Sequence, residues 1–304
     1  MTPQTFSSAE RNARRMLPII RFGQAFVPLA VIRWTERRAA AQVQVPADIT
    51  HEVISADGVR CEWFIPHSAG DHVLLYLHGG GFVYGLTTMH REMIVYLAQQ
   101  MNARVLMVDY RLAPDHPFPA ALEDCVSAYR WLLEQGFSAQ HIAVAGDSAG
   151  GNLTLTTLMK LRDSGDPLPA AGACLSPATD LTERPPEGGR DPLLHPKAIR
   201  FFLDSYVAGN DAHDPLMSPV FGDWQGLPPL LIHAGDDEIL RDDAVRIEQL
   251  IKATGGDVRL EIYPRMWHVW QIFLKLPEAI QSLNDIAQFL QSHLKQETKY
   301  PLPG

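Results

Sequence analysis

Cysteine is scarce in this sequence: Cys61, Cys125 and Cys174 are the only three in 304 residues, far apart and odd in number. A disulfide framework needs pairs, and a structural zinc site needs close spacings such as C-x-x-C, so both are excluded. The three read as reduced, small apolar residues of a cytoplasmic protein. An excess of positive charge is also missing. Lys and Arg number 26 against 35 Asp and Glu, a formal net charge of −9. Without a basic stripe, nucleic acid is excluded as a partner. No apolar run reaches the roughly 18 residues that a membrane-spanning helix requires, so no stable membrane insertion is expected. No internal repeat or low-complexity tract occurs, which removes repeat architectures.

The N-terminus has the general order of a signal peptide, with Arg11, Arg14 and Arg15 ahead of an apolar stretch from Gly23 to Ile32. That stretch is interrupted by Pro28 and flanked by Arg21 and Arg33, and no convincing cleavage site follows, so an amphipathic helix is predicted instead. Arginines alternate there with Leu17, Ile19, Ile20, Phe22, Phe26, Val31 and Trp34. An apolar helical stripe must be buried on something. Residues 1–45 are therefore expected to form a helical cap segment, packed on the main domain or roofing a site.

What is present is an ordinary globular composition, 46% hydrophobic and 20% charged, enough for one large core. From about residue 50 strand-like and helix-like segments alternate. An opening hairpin is predicted around Ala56-Asp57-Gly58, then strands at Val73–Leu77, Arg104–Val108, Ile142–Ala145, Ala170–Leu175, Leu230–His233 and Val258–Tyr263. Helical segments fall between them and after the last. This rhythm predicts an α/β fold, a mostly parallel central sheet with helices on both faces. Residues 46–295 are assigned to it. Residues 182–227 break the rhythm with a Pro/Gly/charge-rich loop and the aromatic helix-like piece His195–Val207. An insertion of that length is more often functional than decorative, and it is read as the second part of the cap. Residues 296–304 read as a frayed tail.

Three features at strand ends carry chemistry. Gly146-Asp147-Ser148-Ala149-Gly150 follows the run Ile142–Ala145. It is a G-x-S-x-G turn, which thrusts a serine hydroxyl out of the fold between strand and helix. His78-Gly79-Gly80-Gly81 follows Val73–Leu77. Three glycines let backbone N–H groups converge on one point, where a developing oxyanion would sit. His78 is better suited to holding this loop than to acting as a base. Last come an acid after Leu230–Gly235 and a histidine after Val258–Tyr263. Of 12 histidines, only His268 and His293 come after the last strand, and His293 falls at the end of the last helix, where a cation suits the dipole, which leaves His268. The acid is less determined, because Asp236, Asp237, Glu238, Asp242 and Asp243 crowd together. Asp242 and Asp243 suit the first turn of the next helix. The order Ser148, an acid near 237, His268 is the triad order of the α/β-hydrolase fold.

With these residues assembled, the chain resembles the bacterial hormone-sensitive-lipase-like esterases of that fold. His78-Gly79-Gly80-Gly81-Phe82 matches the family's HGGG motif. Asp109-Tyr110-Arg111-Leu112-Ala113-Pro114 with His116-Pro117-Phe118-Pro119-Ala120-Ala121 matches a second block, and Gly146–Gly150 with Gly151-Asn152 a third. Asp237-Glu238-Ile239-Leu240 matches the family's D-x-x-L acid segment, which favours Asp237 over Asp236. The resemblance spans about residues 50–295. One departure is Asp115, where glutamate is usual; a small structural effect is expected. The resemblance implies Ser148 as nucleophile, His268 as base and then acid, and Asp237 as its orienting carboxylate. It implies oxyanion donors at Gly80, Gly81 and Ala149, and hydrolysis of small esters with no metal or organic cofactor. A homodimer is an expectation of the family only. Phe82, Tyr84, Phe201, Phe202, Tyr206 and Trp270 are candidates for an apolar substrate pocket. A lactonase or amidase would use the same triad.

Overall fold

The computed structural model describes residues 7–40, 45–183 and 191–295. The chain opens with two helices, α1 (Ser8–Phe26) and α2 (Leu29–Ala40). Ser7 caps α1 by accepting from the Glu10 N–H at 3.0 Å. Pro28 follows directly on the C-cap Val27, which separates the two helices. The sheet then begins with the hairpin β1 (Ile49–Ala56) and β2 (Val59–Pro66), turned at Asp57-Gly58. Next come β3 (Val73–Leu77), α3 (Thr88–Met101), β4 (Arg104–Val108), α4 (Ala120–Glu134), β5 (Ile142–Asp147) and α5 (Ala149–Ser164). They are followed by β6 (Ala171–Leu175), α6 (Pro196–Val207), β7 (Leu230–Gly235), α7 (Arg241–Ala253), β8 (Val258–Tyr263) and α8 (Pro277–His293).

All eight strands join one sheet in the order β1-β2-β4-β3-β5-β6-β7-β8, antiparallel at β1/β2 and β2/β4 and parallel elsewhere. This is the predicted mostly parallel sheet. Its central strands are apolar throughout because both faces are covered. In β3, Leu74 and Tyr76 point to one side, among Met93 and Leu97 of α3 and Leu283 and Leu290 of α8. Val73, Leu75 and Leu77 point to the other, with Cys125 and Tyr129 of α4. Every one of these strand side chains is buried, and each contributes about 1.5–3 kcal/mol. The parallel register sets the carboxyl ends side by side: Leu77 pairs with Gly146, Asp147 with Leu175, and Gly235 with Tyr263. The loops after β3, β5, β7 and β8 therefore meet above one edge of the sheet.

The N-terminal helices differ from expectation in one respect. Leu17 is buried, with Ala13, against Trp267 and Trp270. Ile19, Phe22, Phe26 and Trp34 are instead exposed. Apolar residues sit on both sides of these helices, and packing on the loop after β8 consumes only one. Residues 184–190, most of the Pro/Gly-rich loop, and the tail 296–304 lie outside the described residues.

One buried ion pair ties the antiparallel end of the sheet to a helix. Glu62 on β2 accepts from Arg91 of α3 at Nε (2.8 Å) and Nη2 (2.7 Å), and also meets Arg60 and His51. Burial favours the neutral acid, but the hydrogen bonds and charge of Arg91 outweigh it and lower the Glu62 pKa to about 2. Glu62→Gln is expected to cost about 3–5 kcal/mol in denaturant unfolding, since it leaves a buried guanidinium without its counter-charge. A carboxylate with a depressed folded pKa stabilises fully above its unfolded value near 4.5 and loses that contribution as pH falls toward 2. The variant should therefore show less acid-induced loss of stability across that window than the parent.

Candidate active site

Ser148 stands at the turn between β5 and α5 with φ 54° and ψ −117°, a conformation that residues with a Cβ rarely adopt. The surrounding backbone holds it there. Its N–H donates to Leu175 O at 2.8 Å, and its carbonyl accepts from Asn152 N (3.1 Å) and Ala178 N (3.2 Å). The Asn152 amide donates in turn to Ala178 O and Met217 O. Helix and strand approach so closely that a Cβ at Gly146 would lie 2.5 Å from Leu77 O. The two glycines of the turn thus remove a steric obstacle, and the helix starts immediately after the serine.

The glycine loop after β3 lies beside it. Gly80 and Gly81 have φ of +117° and +61°, and Phe82 follows at +61°. The N–H groups of Gly80, Gly81 and Ala149 have no protein acceptor among the described residues. The loop is pinned from below by Asp147, whose buried carboxylate accepts from Gly79 N (3.0 Å), Tyr76 Oη (2.8 Å) and His90 Nε2 (3.3 Å). Burial penalises that charge, yet His90 and Tyr76 overcome it and hold the acid below its ordinary pKa. His78 plays the holding part expected of it: Nδ1 bonds to Gly79 O at 2.7 Å, and the ring stacks on Tyr110 at 4.2 Å. A carbonyl only accepts, so Nδ1 carries the proton. Complete burial, reinforced by His90, lowers the His78 pKa to about 4, so the ring stays neutral.

His268 reaches the serine from the loop after β8, Nε2 to Ser148 Oγ at 2.8 Å. Its other nitrogen, Nδ1, bonds to Glu238 Oε2 at 2.8 Å. The expectation for Asp237 is therefore corrected: the carboxylate on His268 is that of Glu238. The Asp237 side chain is 44% exposed and accepts from Arg14 Nη1 of α1 at 3.0 Å. Asp236 turns to the Arg265 N–H. The reason lies in the turn after β7. Asp237 commits its backbone N–H to Met266 O, and the chain then brings position 238 under the histidine. Glu238 Oε1 accepts from Gly235 N (2.6 Å) and Ser176 Oγ (2.9 Å), which leaves Oε2 for the imidazole. Glu238 stood in the crowded acid run, but no spacing rule in the sequence distinguishes it, nor the supporting Ser176 and Asp147.

Because a carboxylate only accepts, Nδ1 of His268 is the protonated nitrogen and neutral Nε2 is free to accept from the serine hydroxyl. Burial works against a charged ring, but the hydrogen bond and charge of Glu238 outweigh it, with Asp191 and Asp147 adding to them, and the His268 pKa is raised. The row hydroxyl–imidazole–carboxylate can move a proton off Ser148 and stabilise the imidazolium that results.

This row opens into a cavity of about 550 Å³, lined by Gly80, Gly81, Ser148, Ala149 and His268. Ile20 of α1, Val27 at its C-cap and Leu203 of α6 form part of its wall. Of the aromatic candidates, Phe82, Tyr84 and Phe202 line it, and Phe202 packs against Gly81 so closely that a Cβ there would collide with its ring. Three do not line it. Tyr206 is fully buried behind Phe82, its ring stacked at 3.7 Å; Phe201 is on the outer surface; Trp270 belongs to the core under α1. Helix periodicity explains the split in α6, since neighbours at 201 and 202 face about 100° apart. The N-terminal helices are latched to the loops below. Arg33 donates to Val83 O (3.0 Å) and Ala113 O (2.6 Å) and pairs with Asp115 at 2.5 Å, so the shorter acid at 115 is a partner of α2.

Residues 74–272 match a family model described as the alpha/beta hydrolase fold. An acetyl-hydrolase of Streptomyces hygroscopicus is 41% identical over 246 residues, 79% of this chain and 82% of that protein. The crystal structure of an esterase from the bacterial hormone-sensitive lipase family superposes with a TM-score of 0.87 at 40% identity, covering 96% of this chain and all of that one. That of EstE5, soaked with p-nitrophenyl butyrate, superposes with a TM-score of 0.86 at 38% identity, covering 95% and 99%. The chain belongs to the α/β-hydrolase family, with the esterases of the bacterial hormone-sensitive lipase group.

Proposed function

We propose that this protein is a serine carboxylesterase acting on short- to medium-chain esters through an acyl-enzyme. The observation that carries the proposal is the row Ser148–His268–Glu238, with 2.8 Å at each link, facing a cavity beside three backbone N–H groups without acceptors among the described residues. Ser148 Oγ attacks the ester carbonyl while His268 Nε2 takes its proton. Glu238 fixes the imidazole tautomer and offsets its charge. The tetrahedral oxyanion is received by Gly80, Gly81 and Ala149. His268 then returns the proton to the leaving alcohol, and water repeats the sequence to free the acid. α1, α2 and α6 act as the cap that closes the acyl site. The three cysteines are buried and unpaired, which fits a cytoplasmic enzyme.

A cavity of about 550 Å³ with an apolar wall suits a short or medium acyl chain. In a panel of p-nitrophenyl esters from acetyl to palmitoyl, with a lactone and an anilide included, kcat/KM is expected to peak at about C4 to C8. A maximum at C12 or longer, or a preference for the lactone or anilide, would overturn the assignment.

A further inference from the structure

The outer face of the N-terminal helices has no role in the site described above. Of the ten large hydrophobic residues exposed among the described residues, seven lie between residues 16 and 34. Met16, Ile19, Phe22 and Phe26 form one stripe along α1, and Trp34 extends the exposure onto α2. Ile19 is 73% exposed and Phe22 62%. A soluble monomer scatters such residues singly; a cluster of this density marks a contact surface.

Charge tells what contacts it. Seven arginines and two glutamates give residues 1–45 a net charge of +5, against −14 on the rest of a chain totalling −9; Arg14 and Arg33 are turned inward to Asp237 and Asp115, whereas Arg15 and Arg38 are exposed. Arg15 is exposed on the same side of α1 as Ile19 and Phe22, four and seven residues on. Arg38 lies over the Trp34 ring, and Lys197 of α6 over the Phe26 ring at 4.9 Å. His195, edge-on to Phe26 at 5.6 Å, has its pKa lowered by burial and by the nearby Arg21, Lys197 and Arg200, which locates positive potential at this end of the face. Pairing with a second copy about a twofold axis would set basic groups against their own equivalents. An anionic lipid surface answers both features at once, accepting the aromatic and aliphatic side chains at the acyl boundary and the cations at the headgroups. No helix among the described residues is long and apolar enough to cross a membrane, so the contact is peripheral.

We infer that the outer face of α1 and α2 docks the protein on anionic membrane surfaces. The face also meets the cavity: Val27 is at once exposed and part of the cavity wall. A docked molecule presents its cavity entrance to the interface, where esters with medium acyl chains concentrate.

The test is co-sedimentation of full-length Ser148→Ala protein with vesicles of phosphatidylcholine alone or with roughly a third phosphatidylglycerol. Using the serine variant keeps the result independent of whether the esterase assignment holds. Binding is expected on the anionic vesicles and at least about tenfold weaker on the neutral ones. Ile19→Ser with Phe22→Ser, or Arg15→Glu, should each lower it by about fivefold or more. In the parent background the same substitutions should leave hydrolysis of soluble p-nitrophenyl butyrate unchanged. No binding to anionic vesicles, or binding indifferent to these substitutions, would overturn the inference. So would a dimer in sedimentation velocity that Phe22→Ser dissociates, since a second copy would then own the face.

Discussion

Ser148→Ala is expected to lower kcat for p-nitrophenyl butyrate by about 10⁴- to 10⁶-fold while KM changes little. The substitution removes the one oxygen that bonds to His268 Nε2 and leaves the backbone donors and the cavity wall in place. Whatever rate survives reports positioning and oxyanion stabilisation without a nucleophile, which in serine hydrolases still exceeds the rate in water. Stability discriminates this from unfolding. Alanine carries the same Cβ as serine at φ 54°, so the strain at the turn is unchanged and Tm should move by only about a degree or two. Ser148→Gly should raise Tm instead, because glycine adopts that backbone conformation freely, and it should be just as inactive. A serine-directed phosphonate should add one equivalent to the parent and none to either variant, read by intact mass. Retention of more than about a hundredth of the parent rate in Ser148→Ala would remove the serine from the mechanism.

The sheet and the serine turn were legible because both follow from local rules. A five-residue run without a charged member, as at Val73–Leu77, too short for a helix and followed by a glycine turn, fits a strand covered on both sides. A serine between two glycines after such a run fits a tight strand-to-helix turn, and the collision a Cβ at Gly146 would make with Leu77 O is that tightness observed. What could not be read off depends on a turn whose shape is set in three dimensions. Asp236, Asp237 and Glu238 are chemically near-equivalent in sequence. Only the hydrogen bonds Asp237 N to Met266 O and Gly235 N to Glu238 Oε1 decide which of them faces the imidazole. The pocket aromatics divide, three lining the cavity and three not, for a similar reason. Phe201 and Phe202 have the same composition signal, and the angle of α6 to the glycine loop assigns one to solvent and the other to the cavity. Asp115 is a third instance, since nothing in its block shows that Arg33 of α2 will arrive opposite it.

The two neighbouring acids separate cleanly in experiment. Glu238→Gln is expected to lower kcat by about 10³- to 10⁴-fold, and Asp237→Asn by no more than about threefold. An amide at 238 still fills the space between Gly235 N and His268, but it can present its NH₂ to Nδ1. The ring then holds its proton on Nε2, where it cannot accept from Ser148. Loss of the carboxylate also removes the main influence that raises the His268 pKa against burial. The acid limb of kcat/KM, set by the fraction of neutral imidazole, lies above pH 6.5 in the parent and should move to lower pH in Glu238→Gln, since burial alone lowers a histidine pKa. Asp237→Asn leaves that limb where it is. Its effect should appear in KM, because Asp237 anchors Arg14 and with it the helix that supplies Ile20 to the cavity wall. Arg14→Ala should reproduce that KM effect, and combining it with Asp237→Asn should add little, as expected of two halves of one contact. The reverse pattern, a collapse of kcat in Asp237→Asn with Glu238→Gln nearly intact, would return the orienting role to Asp237 and require the turn after β7 to rearrange during the reaction.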